Sequence, residues 1–462
     1  MTGRRATGPQ APLAIVLHTH MPYVYGFGTW PFGEEWLWEV YVGSYLPVTD
    51  LIAGGAPLTL SLTPVLADQY EAPAAAARCR AFCDVDRRHT HREDAAGLAS
   101  VGLSGEVAAS EHSWREYAAA IARIDQGEGL LAPLAAASTW TSAATHAVLP
   151  LLATEAGVRL QVGSGAASHR RRTGSWGGGL WLPECAWDPE LEAPLIEEGV
   201  RTVCVELRDG GAPRGPWRTP DGLRIVPIDR PLIDAVWHQD GYPCHADYRS
   251  SHQRSYNGHA LWNNAHGPYD PAIGAERARL DAADWAYRCA RALADGVPRV
   301  VAFDTELFGH WWHEGPLFLA AALDELAALG VAVVQLDELV AGLELETAPA
   351  PAASTWGAGR DLRTWSAPKV ATIAWELRRA ELDVLLTRGP GGVPEAALRD
   401  LLALQSSDWA FMVTEDRAAS YGWERFASHR RATTAPAGAL PSSTPRLRHL
   451  APDLAHDALA VG

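Results

Sequence analysis

The feature that most constrains this chain is a repeated local pattern, in which short apolar runs stop abruptly at polar residues. "PLAIVLHTHMP" opens the series and "APLTLSLTPVLADQY" adds a run followed by a helix start. "GGLWLPECAW", "VRTVCVE", "GLRIVPID", "PRVVAFDTELFGHWW" and "GVAVVQLDELV" repeat it. A short unbroken apolar run closed by a turn signal fits a strand buried on both faces, as in a parallel sheet. Helical spacing fills several intervals. "PELEAPLIEEGV" stops at Gly199, "AERARLDAADWAYRCARALADG" precedes the run at Val300, and "EGPLFLAAALDELAALG" follows it. Strand and helix therefore alternate over residues 12–342, which predicts an α/β fold. Polar chemistry clusters just after strand ends, which favours a barrel-like arrangement. An open doubly wound sheet is the competing fold, but the glycine-rich phosphate loop that would support it is missing.

The remaining segments divide the chain. Residues 12–345 are expected to form the catalytic domain, with an Ala-rich helical insertion around 72–135. Residues 345–360, rich in Ala, Pro and Gly, read as a linker. Residues 361–430 read as a helical C-terminal domain, and residues 431–462, rich in Ala, Pro and Ser, as a flexible tail. Composition narrows the function classes. A formal net charge of −16 argues against nucleic acid and anionic membranes as partners. Nineteen Trp against 8 Phe and 12 Tyr reverse the usual ranking and suit a cleft that stacks flat sugar faces. Only Cys79 and Cys83 lie close together, without a second pair to complete a zinc site. Free thiols and no leader or membrane-spanning run predict a cytoplasmic protein.

Four segments carry chemistry. Glu184 follows a strand in "LWLPECAW", between Trp181 and Trp187, where a glycosidase nucleophile would sit. Asp304 closes the run in "VVAFDTELFGHWWHEG", with Glu306, His310, Trp311, Trp312 and His313 behind it. Two carboxylates at i and i+2 raise one another's pKa, which a general acid needs. Against these functional readings stand an acidic residue that merely closes a strand, and an N-cap for the next helix. His18 and His20 share a face at the end of the first run; they suit either sugar hydroxyls or, with His146 as third ligand, a metal. The sugar-binding reading is preferred. The segment 237–269 lacks periodicity and holds five His, four Tyr and two Trp, a composition that suits a substrate lid.

Together these segments resemble glycoside hydrolase family 57. "LHTHMPYV", "TSAATHAVLPLL", "WLPECAW", "FDTELFGHWWHEG" and "SSDWAFM" are similar to its five signatures, in the family's order, over roughly residues 13–425. The resemblance implies a distorted (β/α)7 barrel with an inserted helical segment and a helical C-terminal domain. It implies retaining chemistry on α-1,4-glucans with no cofactor and no metal, Glu184 as nucleophile and Asp304 as acid/base. Binding residues on this basis are His18, His20, Trp30, His146, Trp181, Tyr242, Tyr248, His310, Trp311, Asp408 and Trp409. The closest subgroup is the 1,4-α-glucan branching enzymes, with Tyr242 and Tyr248 of "GYPCHADYR" as lid tyrosines. Pro243-Cys244 stands where branching members usually have Pro-Gly, and the spacing from Glu184 to Asp304 is short for that subgroup. An α-amylase or 4-α-glucanotransferase on the same site is the nearest alternative. A metal-dependent polysaccharide deacetylase or α-mannosidase-like hydrolase is a more remote one.

Overall fold

The computed structural model describes residues 11–29, 32–208, 212–386, 393–434 and 447–455. One sheet organises the chain. Its strands are β1 (Leu13–Thr19), β2 (Thr59–Leu62), β3 (Ser138–Ser142) and β4 (Gly179–Trp181), followed by β5 (Thr202–Val205), β6 (Trp217–Arg218), β7 (Arg224–Pro227) and β8 (Arg299–Asp304). Their order is β6-β7-β5-β4-β3-β2-β1-β8, and every neighbouring pair is parallel except β6 with β7. Seven parallel strands thus carry the fold, with β6 a short antiparallel addition. The ladder does not close into a full barrel. Just past β7, the Asp229 amide donates to the Val300 carbonyl of β8 at 2.7 Å, and Arg299 pairs with Asp229 at 3.0 Å. That single crossing brings the far side of the sheet back to β8, so the expected barrel is present in an incomplete form.

β1 is buried along its whole length between β2 and β8. Each fully buried Ile, Val or Leu there contributes about 1.5–3 kcal/mol. An Ile15→Asp change would leave an unpaired charge in the core and break the strand. Where β1 turns polar, His18 sits in register with Ser61 of β2 and Asp304 of β8. One row of chemistry therefore forms at the C-terminal edge of the sheet, where active sites of such folds collect.

The helical insertion lies between β2 and β3 as expected, with helices Ala75–Ala81, Arg88–Ser100, Ser104–Asp125 and Ala132–Ala137. The sequence reading of "GVAVVQLDELV" as a strand is corrected: only Val333 bridges to Leu13, and the helix Leu336–Ala341 takes the rest. Residues 345–360 are not a loose linker. Trp187 pairs with Ser354 through the backbone, and the Trp187 and Trp217 indoles donate to the Pro351 and Pro349 carbonyls at 2.9 and 3.1 Å. The region behind it is helical, including Ala371–Leu386, Glu395–Leu404, Asp408–Thr414 and Tyr421–Thr434. The expected tail is also corrected in part. Residues 431–434 complete the last helix. Ala451 donates to Asp68 at 2.7 Å, and Asp453 pairs with Arg171 at 2.6 Å. Residues 435–446 and 456–462 lie outside the described ones.

Candidate active site

Glu184 sits in the tight turn after β4 with left-handed backbone, at φ 59° and ψ 21°. A non-glycine residue there stores about 1–3 kcal/mol of strain, which its surroundings must hold. They do so from two distant segments. The Trp356 amide donates to the Glu184 carbonyl at 3.2 Å, and its indole Nε1 donates to Glu184 Oε2, also at 3.2 Å. Ser407 donates from its hydroxyl to Oε1 at 3.2 Å, and His146 Nδ1 lies 3.8 Å from the same oxygen. Burial pushes the Glu184 carboxyl up to about 7, against the pull of the Trp356 and Ser407 donors and of His20.

Asp304 ends β8 and lives differently. Among the described residues no side-chain donor reaches its carboxyl. Burial, then the neighbouring carboxylates Glu306 and Glu184, hold it well above the ordinary range. It makes no capping bond to the turn that follows, so the N-cap alternative fails. Glu306 falls in that turn, accepts from Tyr45 and, at 3.0 Å, from the His20 amide, and is itself pushed to about 7 by burial. Gly309 (φ 111°) lets this loop approach Gly43, because a Cβ there would collide with the Gly43 carbonyl.

The three strand-end histidines stack rather than converge. His20 and His146 lie 3.9 Å apart between centroids with planes 13° apart, and His18 stacks on Trp181 at 5.2 Å. His18 Nε2 meets His146 Nε2 at 2.8 Å, His18 Nδ1 faces Ser61 at 3.4 Å, and His146 Nδ1 meets Ser407 at 2.8 Å. His20 is bonded to Thr63 at 3.3 Å and to Asp408 at 3.1 Å. All six ring nitrogens therefore face protein partners in this structure. Burial, then neighbouring histidines, holds His18 and His146 well below the ordinary value and so neutral. For His20, burial is outweighed by Asp408, which raises its pKa; His20 in turn lowers that of Asp408. Among the described residues, the ligand atoms that do gather belong to His112, Glu116 and His313, within 4.8 Å of one another. Arg115 lies 3.3 Å from His112 there and Arg249 3.9 Å from Glu116, so positive charge already occupies that neighbourhood.

Aromatic rings lead outward from Glu184. Trp181, 0% exposed, packs on Trp356 at 4.9 Å; Trp356 faces Trp237 at 6.3 Å, and Trp237 faces Trp311 at 5.6 Å. Trp237 is 37% exposed and Trp311 43%, so the line opens to solvent. Other expected binding residues fall elsewhere. His310 lines a polar cavity with Glu39, Arg249 and Arg254. The Tyr242 and Tyr248 hydroxyls donate to Asp284 and Asp281 of the helix Pro271–Leu293 at 2.6 and 2.7 Å, so both tyrosines anchor the 237–269 segment. Trp409 is 0% exposed and donates to the Ala403 carbonyl at 2.9 Å, which makes it a core residue. Trp30 lies outside the described residues. The sequence reading missed Trp356 and Ser407. A lone Trp in a Pro- and Ala-rich stretch was the available signal for the first; a hydroxyl beside Asp408 was that for the second.

The model of glycosyl hydrolase family 57 matches residues 133–349, and that of the 1,4-alpha-glucan branching enzyme C-terminal region matches residues 390–452. A Mycobacterium tuberculosis protein named "Probable 1,4-alpha-glucan branching enzyme" is 31% identical over 490 residues, 92% of this chain and 91% of that one. The 1,4-alpha-glucan branching enzyme of Thermococcus kodakarensis is 28% identical over 493 residues, 91% and 72% of the two chains. The crystal structure of a branching enzyme of the same family from Pyrococcus horikoshii superposes with a TM-score of 0.84 at 27% identity, over 91% of this chain and 88% of that one. A shared fold, the signature strings at the edge of its sheet and matches over nearly the whole length agree: this chain belongs to glycosyl hydrolase family 57.

Proposed function

We propose that the chain is a 1,4-α-glucan branching enzyme that cuts an α-1,4 linkage and remakes it as α-1,6. The observation that carries this reading is the pair of buried carboxyl groups in opposite surroundings. Glu184 has donors that favour its ionised form, and Asp304 has none and two carboxylate neighbours. In the first step Glu184 attacks the anomeric carbon while Asp304 gives its proton to the departing glycosidic oxygen. A glucosyl ester of Glu184 results. In the second step Asp304, now a carboxylate, takes the proton of an acceptor glucan's 6-hydroxyl as that oxygen displaces Glu184. Two inversions give net retention. Trp356, Trp237 and Trp311 supply stacking faces for a glucan chain, with the fully buried Trp181 packed behind Trp356, and Trp356 shields the ester from water. The relatives named as branching enzymes and the match over residues 390–452, which contains Ser407 and Asp408, support the same reading.

One observation favours a second outcome at the same site. The expected lid tyrosines are tied to the helix Pro271–Leu293. Water exclusion then rests on the tryptophans alone, and hydrolysis or 4-α-glucan transfer would compete with branching. Incubation with amylose, followed by proton NMR, separates the two. New α-1,6 signals with few reducing ends are expected; reducing ends without α-1,6 signals would assign an amylase. We place the enzyme in the cytoplasm, in the synthesis of glycogen-like glucans. All six cysteines are free thiols, and among the described residues no helix is long and apolar enough to cross a membrane. Residues 12–345 form the catalytic unit and residues 361–430 the helical unit in this reading, with residues 345–360 as a clamp between them.

A further inference from the structure

We propose that Ser407 is a positioning residue for the nucleophile, and that His18 and His146 act through it by locking its single hydroxyl proton onto Glu184. The inference rests on Glu184 being the nucleophile. Ser407 is 3.2 Å from Glu184 Oε1 and 2.8 Å from His146 Nδ1. A hydroxyl between an ionised carboxylate and an imidazole nitrogen can give its proton to only one of them. Giving it to His146 would turn the oxygen lone pairs on the carboxylate, so it goes to Glu184. His146 must then donate from Nδ1 to Ser407. As a neutral ring it has no proton left on Nε2, and Nε2 accepts from His18 Nε2 at 2.8 Å. His18 is left with a bare Nδ1 facing Ser61 at 3.4 Å. Every tautomer in the row is thereby set by the charge on Glu184. Should Glu184 be protonated, the row can run the other way, with Glu184 donating to Ser407.

The backbone fixes Ser407 in this place. Its amide donates to the His146 carbonyl at 3.1 Å, and the adjacent Ser406 bridges to Ala147. His146 itself has φ 59°, so its ring is aimed by a left-handed turn and not by rotamer choice alone. The helical C-terminal region thus completes the site from a segment remote in sequence. At the far end, the Ser61 hydroxyl lies 3.2 Å from the Thr141 carbonyl and 3.4 Å from His18 Nδ1, so in this polarity its proton turns from Thr141 to the bare Nδ1, and in the reverse polarity it stays on Thr141. The titratable groups around Glu184 are His146, His20, Asp408 and Asp304: His146 Nδ1 stands 3.8 Å from Oε1, beyond hydrogen-bond reach, His20 is bonded to Asp408, and no hydrogen bond joins Asp304 to Glu184 among the described residues.

The test is the pH profile of kcat/KM for Ser407→Ala, Ser407→Thr and Glu184→Gln. Removing a donor from a carboxylate raises its pKa. For Ser407→Ala we expect the rising limb to move to higher pH by roughly half to one unit and kcat to fall about tenfold to a hundredfold, with KM and melting temperature unchanged. Ser407→Thr, which keeps the hydroxyl, should return the limb toward the wild-type position. In the wild-type enzyme above that limb, nitrogen-15 NMR should find His146 protonated at Nδ1 and His18 at Nε2. An unmoved limb in the Ala variant, a Thr variant as impaired as the Ala one, or the opposite tautomers would each overturn the proposal. If Glu184→Gln stays active, the nucleophile assignment itself fails. If Glu184→Gln is inactive and the Ala limb does not move, only the role of Ser407 fails.

Discussion

The turn after β4 and the end of β8 each present a buried carboxyl group, and the protein supplies them in opposite ways. Glu184 accepts from Trp356 and Ser407, two donors delivered by residues 345–360 and by the helical C-terminal region. Asp304 receives no side-chain donor among the described residues and faces Glu306 instead. Burial penalises both charges, and so do neighbouring carboxylates, Asp408 for Glu184 and Glu306 for Asp304; the hydrogen-bond donors are what differ. On the proposed roles, the comparison teaches that the division into nucleophile and acid resides less in the carboxyl groups than in what the rest of the chain brings to each.

The largest effect should come from deleting the groups themselves. Glu184→Gln and Asp304→Asn should each lower kcat on amylose by about 10⁴ or more. An aryl maltooligosaccharide, whose leaving group departs without a proton, should recover the first step in Asp304→Asn and not in Glu184→Gln. Equal recovery in both variants would erase the distinction drawn above.

A second effect is on stability. The folded-state pKa of Glu184, about 7, lies above its ordinary value of 4.5, so burial of the charged form costs stability as pH rises through that window. Glu184→Gln removes this cost. At pH 8 the variant should unfold about 3 kcal/mol less readily than the wild type, and below about pH 4.5 this difference should vanish. Urea melts at the two pH values check it. No gain at pH 8 would mean that the donors already compensate the buried charge in full.

Trp356→Phe keeps a stacking face but removes the indole donor. We expect kcat to fall about tenfold to a hundredfold, with the rising limb of kcat/KM shifted upward, since that donor favours the carboxylate. A change confined to KM would make Trp356 a sugar platform and nothing more. The smallest effect belongs to the β8 side. Glu306→Gln removes a like charge from Asp304, which lowers the pKa of Asp304 and moves the falling limb to lower pH by roughly one unit. A rising-limb shift instead would place Glu306 with the nucleophile.

Much of this was legible in the chain. The apolar runs ending at His18, Glu184 and Asp304 marked strands whose polar ends gather on one edge, because a parallel sheet aligns its C-terminal ends. The helical insertion was legible from its composition. The run at Val333 was misread, because a short apolar stretch does not distinguish a strand from a segment that merely bridges and enters a helix. Trp409 looked like a binding residue and proved to be core, and the roles of Tyr242 and Tyr248 likewise turned on partners far away in the chain.

By itself, then, the sequence determined which residues stand at strand ends, since burial pattern and turn chemistry are local properties. Only the tertiary structure decided what those residues are worth. A carboxyl's ionisation depends on donors and charges within a few ångströms, and the donors for Glu184 come from Trp356 and Ser407, at sequence separations of 172 and 223. No local pattern encodes that meeting; the docking of residues 345–360 and of the C-terminal helices against the sheet does.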